Sequence, residues 1–466
     1  MNRKAYVLTT LLVAVMLSVN IYAQELWSLE RCIEYAYENN LSIQQSVLDV
    51  YSADEDLQQS KLNMLPNLNG SVSEAYNWGR TLDPQLNLFV TQQTQQFRLG
   101  LSSEITLFNG LQQINNVKQK QFDYLAKKYD SDKIRNDISL NIAASYLLIL
   151  FNIELVNNAQ RQVDISKEQI DRTEKQVEAG VLARGNLYDI QAQGANDEAN
   201  LITARNNLML AYLDLKQFLD IEAGAEFDIE KPELEITETP TLLPPEVIYN
   251  TAVTIMPEIK SAESSLESVD RQLSMARGMR SPRLYASGQY GTTFSDQIYE
   301  VVGEDPITGF PIRGSDVKAF DKQLVDNRFG GLFFGLQIPI FNGYQVSTNI
   351  KKTKVYREAV EINLAQQKLI LRKNIETAYA DAIAAYQTYI ARKKSVEAFQ
   401  ESFKYMEEKF NVGMVNATEY NVSKIQLSTA ESELANAKYD YIFKVKVLDF
   451  YLGKGISLEG IAAASE

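Results

Sequence analysis

Carboxylates are the only groups in this sequence numerous enough to carry chemistry. Asp and Glu number 60 against 46 Lys and Arg, so the formal charge is −14. Histidine is absent, which removes the commonest general base and the commonest metal ligand. Cys32 is the single cysteine and cannot form an internal disulfide. Paired carboxylates could still act as acid and base. The acids, however, sit mainly in loops, at helix starts and on the polar faces of helical patterns. No nucleotide loop, metal cluster or nucleophile motif accompanies them. No catalytic residue, metal site or cofactor is therefore expected, and the chain reads as a non-enzyme. The acidic excess also argues against nucleic acid, whose phosphates it would repel.

The elements that carry these residues begin with an export signal. Arg3 and Lys4 form a positive start, Leu8 to Val19 is mostly apolar, and Ala23 is the small residue a signal peptidase needs. Residues 1–23 are thus expected to be removed. Cys32 lies beyond the apolar stretch and is not a lipoprotein cysteine. No later segment has about 18 to 20 consecutive apolar residues. If the mature chain enters a membrane, it must do so as a closed β-barrel, because lipid satisfies no backbone hydrogen bond.

The chain is a duplication. Leu107-Phe108-Asn109-Gly110 recurs as Ile340-Phe341-Asn342-Gly343, an offset of 233. Gly180 and Gly413, Asn141 and Asn374, Tyr146 and Tyr379, and Gln193 and Gln426 share it. Upstream the offset is 216, as in Pro66-Asn67-Leu68 and Pro282-Arg283-Leu284, so the second copy carries 17 extra residues before its Phe-Asn-Gly. The division that follows is a helix at 24–65, strands at 66–109 and a long helical hairpin at 110–219. A Pro- and acid-rich linker follows at 220–245. The second copy has its helix at 246–281, strands with a longer outer loop at 282–342 and a hairpin at 343–452. A tail at 453–466 completes the chain.

Within each hairpin the apolar period is 3.5 residues. Ile375, Ala378, Ala382, Ala385 and Val396 mark one seam, and Ile142, Ile149, Val156, Val163 and Ile170 the other, with Ser145, Asn152, Ser166 and Thr173 interleaved. Such a period makes a coiled coil. A helix of about 70 residues is about 105 Å long. The returning helix covers half of that. Residues 246–279 are expected to fill the rest after the first copy and residues 29–62 after the second, stacked end to end. The strands alternate: Phe97, Leu99, Leu101, Ile105 and Leu107 on one face, small or polar residues on the other. That is the transmembrane barrel pattern. Four strands cannot enclose a lumen, so subunits must pool them. The connecting loops near 80–95 and 296–327 would be solvated.

These features resemble the TolC-like outer-membrane efflux protein family. The resemblance rests on Trp27-Ser28-Leu29-Glu30-Arg31-Cys32-Ile33 to Glu38-Asn39-Asn40 and on Leu65-Pro66-Asn67-Leu68. The two Phe-Asn-Gly turns carry it further, as do the tips Ala179-Gly180-Val181-Leu182 and Val412-Gly413-Met414-Val415. It implies a mainly α fold with a transmembrane β part. A homotrimer would join about 12 strands in one barrel, extended by a coiled-coil tunnel into the periplasm. It implies an outer-membrane exit duct of a tripartite efflux or type I secretion system. The partners would be a periplasmic adaptor (a membrane fusion protein), an inner-membrane RND or ABC transporter, and outer-membrane lipid. Adaptor contacts would fall on Gly180, Val181, Leu182, Gly413, Met414 and Val415. Family members narrow the tip with acidic rings just after the glycine turn. Glu419 matches that position here; Val422 replaces the next acid; Asn186 and Asp189 are the first-copy equivalents. A pore gate of Glu419, Asp189 and Asn186 would attract cations. The alternative role for both acids is to stabilise a helix's first turn. The rival overall reading is a soluble periplasmic coiled-coil adaptor, but adaptors usually carry one hairpin between small β domains.

Overall fold

The computed structural model describes residues 26–83, 87–222, 224–232, 234, 236, 242–307, 309 and 311–458. The expected signal peptide and the end of the tail lie outside them. The element order is α1 (Leu29–Asn39), α2 (Leu41–Leu62), β1 (Asn69–Leu82), β2 (Phe89–Phe108), α3 (Gln112–Glu178) and α4 (Arg184–Leu219). After the linker come α5 (Pro245–Ile255), α6 (Pro257–Gly278), β3 (Arg283–Ser295), β4 (Tyr299–Glu304), β5 (Pro311–Val317) and α7 (Phe320–Asp326). The chain closes with β6 (Phe329–Gln337), α8 (Gln345–Asn411) and α9 (Ala417–Tyr451). Two compact units emerge. One holds the residues up to Asp49, Lys128–Lys260 and those from Ala365 on; the other holds Val50–Lys127 and Ser261–Leu364.

The helical unit buries the seams that the 3.5-residue period marks. Ile142, Ile149 and Ile375 are fully buried, with Val163, Ala382, Ala385 and Val396 close behind. The polar members of the first seam, Asn152, Ser166 and Thr173, are buried too. A core at the far end of the hairpins gathers Leu29, Cys32, Tyr146, Leu215, Leu219 and Ile229. Here the linker joins the fold: Trp27 and Ile229 form a parallel bridge, and the Tyr146 hydroxyl donates to the carbonyls of Trp27 (3.1 Å) and Glu230 (2.9 Å). Burial pushes the Cys32 thiol up to about 12, so it stays protonated and unreactive at neutral pH. One window of α3 is apolar enough to cross a membrane by composition, with mean hydropathy 1.7. Half of that window is buried in the protein.

End-to-end stacking is present, with the segments exchanged relative to the sequence expectation. Asn40, between α1 and α2, donates from Nδ2 to the Phe218 carbonyl at 2.8 Å, and the Leu41 N–H donates to Asp220 Oδ2 at 2.8 Å. The 29–62 segment therefore continues the return helix of its own copy. The second copy does the same, with α5 packed on the end of α9 and Ile255 against Gly453. The first repeat closes on itself because the Asn40 side chain satisfies the carbonyl that α4 leaves open and also caps α2 at Ser42 and Ile43.

The second unit holds an antiparallel sheet in the order β1-β2-β3-β6. Its outer edges, on β1 and β6, pair with no strand among the described residues. Register aligns Val72 with Leu99 and Thr292, and Leu101 with Tyr290, on one face. That face is largely bare: Leu332 is 81% exposed, Phe334 73% and Val72 67%. From Leu107 to Phe97 it spans about 25 Å at the usual strand tilt, the height of a bilayer's apolar core. Beyond it lie Tyr76, Trp78 and Glu74, whose carboxylate accepts from the Tyr76 hydroxyl at 2.8 Å. β1 and β2 continue past this border, so the first outer loop is only residues 83–88.

The second outer loop is built, where the sequence reads as solvated. It carries the β4–β5 hairpin and α7. Gln323 of α7 is fully buried, accepts from the Ser295 N–H (3.0 Å) and donates to the Ser295 carbonyl (2.9 Å). Asn327 donates to Thr293 at 2.7 Å. These amides cover the β3 edge where β6 has not begun, which removes an open edge. Asp83, 1% exposed, pairs with Arg313 at 2.8 Å and fastens the hairpin.

Both strand-to-helix turns use consecutive left-handed residues: Gly110 (φ 69°) with Leu111 (φ 61°), and Gly343 (φ 59°) with Tyr344 (φ 63°). A Cβ on Gly110 would also strike the Gly278 carbonyl and the Ser281 Cβ 2.6 Å away, whereas Gly343 faces open space. Gly343→Ala is therefore expected to cost only the left-handed penalty of about 1–2 kcal/mol. Gly110→Ala should cost clearly more, read as a lower unfolding midpoint of the detergent-solubilised protein. Equal midpoints would mean that the Gly110–Gly278 approach is not tight.

Candidate functional site

The two hairpin tips lie in the helical unit and are built alike. α3 ends in Gly180 at φ 76°, with Val181 N–H donating to the Gln176 carbonyl (2.8 Å) and Gly180 N–H to Val177 (3.0 Å). α8 ends in Gly413 at φ 75°, with Met414 N–H donating to Lys409 (2.9 Å) and Gly413 N–H to Phe410 (3.0 Å). Both are the paired 6→1 and 5→2 bonds of a Schellman stop, in which glycine takes the left-handed position. The turns present apolar side chains to solvent: Val181 is 69% exposed and Met414 73%. Leu182 and Val415 are half-buried beneath them.

The acids after the turns differ between copies. Asn416 caps α9: its Oδ1 accepts from the Glu419 N–H at 2.9 Å, and its Nδ2 donates to Glu419 Oε1 at 3.1 Å. Asn416 is thus a side-chain N-cap whose amide also holds the Glu419 carboxylate, which gives Glu419 a structural task. Its side chain is nevertheless exposed. In the first copy Ala183 occupies the cap and bonds through no side chain. Asn186 is half-buried, its N–H on the Ala183 carbonyl at 3.1 Å, and Asp189 is exposed one turn further on. Tyr420, next to Glu419, is buried and stacks on Phe410 with ring centroids 4.7 Å apart. Burial holds its phenol in the protonated form.

Side chains of the two copies are joined at several places in the helical unit, among them Arg161 with Glu431 at 3.6 Å. Arg172 donates to Asn411 near the tips. Deeper, Lys424 of α9 enters the first copy. Its Nζ reaches Asp197 Oδ2 (2.7 Å), Ser166 Oγ (2.7 Å) and the Gln162 carbonyl (3.1 Å), and all three groups but the last are nearly buried side chains. Asp197 Oδ1 accepts from Gln193 at 2.9 Å. The three protons of the ammonium are thus all used. Neither charge is among the residues singled out by sequence. The one signal was Ser166, one of the polar residues interleaved in the first seam.

A pair of long helical hairpins with apolar tips, and a sheet with two open edges and a bare apolar band, define a channel-forming protein of the outer membrane. The chain belongs to the family described as Outer membrane efflux protein, whose pattern it matches over residues 32–219 and 248–454. It is 22% identical to Outer membrane protein TolC of Escherichia coli (strain K12) over 89% of this chain and 80% of that one. It is 21% identical to the Solvent efflux pump outer membrane protein SrpC of Pseudomonas putida, over 92% and 86%. The solved structure of the outer membrane protein VceC from Vibrio cholerae superposes with a TM-score of 0.73 over 92% and 96%, at 14% identity. The chain is an outer-membrane efflux protein and not a soluble adaptor. The relatives are channel proteins, not enzymes.

Proposed function

We propose that three copies pool their sheets into one barrel and that this barrel, continued by the helical hairpins, is a passive exit duct for small molecules. The single observation that carries this reading is the sheet itself. The outer edges of β1 and β6 are unpaired among the described residues while its apolar face is bare. Open edges of this length are a standing invitation to pair with another chain, and pairing β6 with the β1 of a neighbour satisfies both edges at once. The exposed tips at Val181 and Met414 would receive helical hairpins of a periplasmic adaptor, which would connect the duct to an RND or ABC transporter in the inner membrane. The relatives' names, TolC and a solvent efflux pump component, fit small-molecule cargo. The duct performs no catalysis and needs no cofactor.

Purified protein in a planar bilayer is expected to give discrete conductance steps, and its mass in detergent is expected to be that of three chains. A folded trimeric sample that never conducts would overturn the duct.

A further inference from the structure

The polar face of the sheet carries few charges. On β1, β2, β3 and β6 they are Arg98, Glu104 and Arg283. Arg283 and Glu104 neutralise one another at 2.8 Å. Arg98 is exposed and has no hydrogen bond, ion pair or ring contact among the described residues. In a chain whose net charge is −14, an unpaired cation in mid-strand is unexpected.

Its surroundings are those of an oxyanion site. The register sets Ser73 beside Arg98 on β1 and Thr293 beside it on β3. Side chains paired this way on one face stand about 4.5–5.5 Å apart. A guanidinium between two hydroxyls offers a fork of N–H donors with an O–H donor on each side, which matches a carboxylate or phosphate group. The next row adds Gln96 and Ser295, and the row after it Thr94. All of these line one cavity of 460 Å³. Thr94 is 1% exposed and its hydroxyl has no partner among the described residues. A buried hydroxyl left unpaired is costly, so its presence in the same cavity marks a place where a further polar group is accommodated.

We propose that this cavity binds oxyanions, with Arg98 supplying the charge and Ser73 and Thr293 the flanking hydrogen bonds. That the site looks into a lumen rests on the exit-duct reading; that it binds does not. In the duct it would lie on the inner wall, where anionic solutes bearing carboxylate or phosphate would pause on leaving.

The test uses full-length protein in detergent at fixed ionic strength, with inorganic phosphate followed by phosphorus NMR and isotope-labelled citrate by carbon NMR. Wild type is expected to broaden the phosphate or the citrate line, and the probe it broadens identifies the preferred group. Arg98→Gln should weaken the effect about tenfold, the loss of one charged hydrogen-bonded contact. Arg98→Lys should retain part of it, and Arg283→Gln should leave it intact. Broadening that is absent in wild type for both probes, or equal in wild type and Arg98→Gln, overturns the site. The Arg98 side chain is exposed and makes no hydrogen bond or ion pair among the described residues, so Arg98→Gln is not expected to disturb folding. Bilayer conductance of the same samples separates the two readings. Binding without conductance sinks the duct and leaves the site; conductance without binding does the reverse.

Discussion

Lys424→Met is expected to destabilise the helical unit by about 3–5 kcal/mol, because it strands the Asp197 carboxylate in a buried place with no cation. The ion pair is 4% and 7% exposed at its side chains, so water cannot replace the lost partner. Asp197 would be left with the uncharged Ser166 and Gln193 as donors, and the Gln162 carbonyl would lose its own. Asp197→Leu should do comparable damage by leaving the ammonium unpaired. The double variant Lys424→Met with Asp197→Leu should recover most of the loss, since two apolar side chains fill a similar volume without desolvating charge. Urea unfolding of the three variants in detergent, read by circular dichroism, gives the cycle. Single variants within about 1 kcal/mol of wild type would mean that the pair is effectively solvated. The pair joins α9 of one copy to α3 and α4 of the other, so its loss should loosen the junction between hairpins before either hairpin melts.

The large elements were legible because their signals are periodic. A 3.5-residue seam sustained through each long helix sets its length, and the matched offsets place the same turn at Gly180 and Gly413. Alternation along Phe97 to Leu107 sets the face of β2. The rest depends on single contacts that leave no period. The stacking partner of residues 29–62 is decided by one amide, Asn40 on the Phe218 carbonyl, and apolar patterning is blind to it. The outer loop reads as solvated because it is long, acidic and glycine-containing. Its order comes instead from Gln323 and Asn327 bonding the edge of β3, a side-chain-to-backbone match that composition does not encode. The tips are intermediate. Their turn geometry follows from glycine, while the capping of Glu419 depends on Asn416, which the first copy replaces with Ala183. Arg98 and Lys424 were invisible for opposite reasons: one charge is conspicuous only once its neighbours are known to ignore it, the other only once it is known to be buried.

The bond from the Asn416 cap sharpens the test of Glu419, since the residue now has two possible tasks with separate signatures. Glu419→Gln keeps an oxygen that Asn416 Nδ2 can donate to, so the helix start should survive, but it removes the charge. Glu419→Ala removes both, and loss of the reciprocal bond should cost about 0.5–1 kcal/mol per chain. If three tips converge in a trimer, three carboxylates would stand within roughly one Debye length, about 8 Å at physiological salt. Their combined field on a passing monovalent ion, after screening, is about 0.7 kcal/mol, or roughly threefold in permeability. Both variants are then expected to lower the cation-to-anion permeability ratio about threefold, measured from reversal potentials in a salt gradient. Only Glu419→Ala should also lower the unfolding midpoint. A permeability ratio unchanged in Glu419→Gln would leave Glu419 as a capping residue alone. Asp189→Asn serves as the comparison: Asp189 has no capping bond to lose, so any change it makes to selectivity is electrostatic. Since the first copy offers Asn186 where the second offers Glu419, its charge would come from Asp189, one turn further on. Asp189→Asn combined with Glu419→Gln should therefore abolish the cation preference that either change alone only reduces.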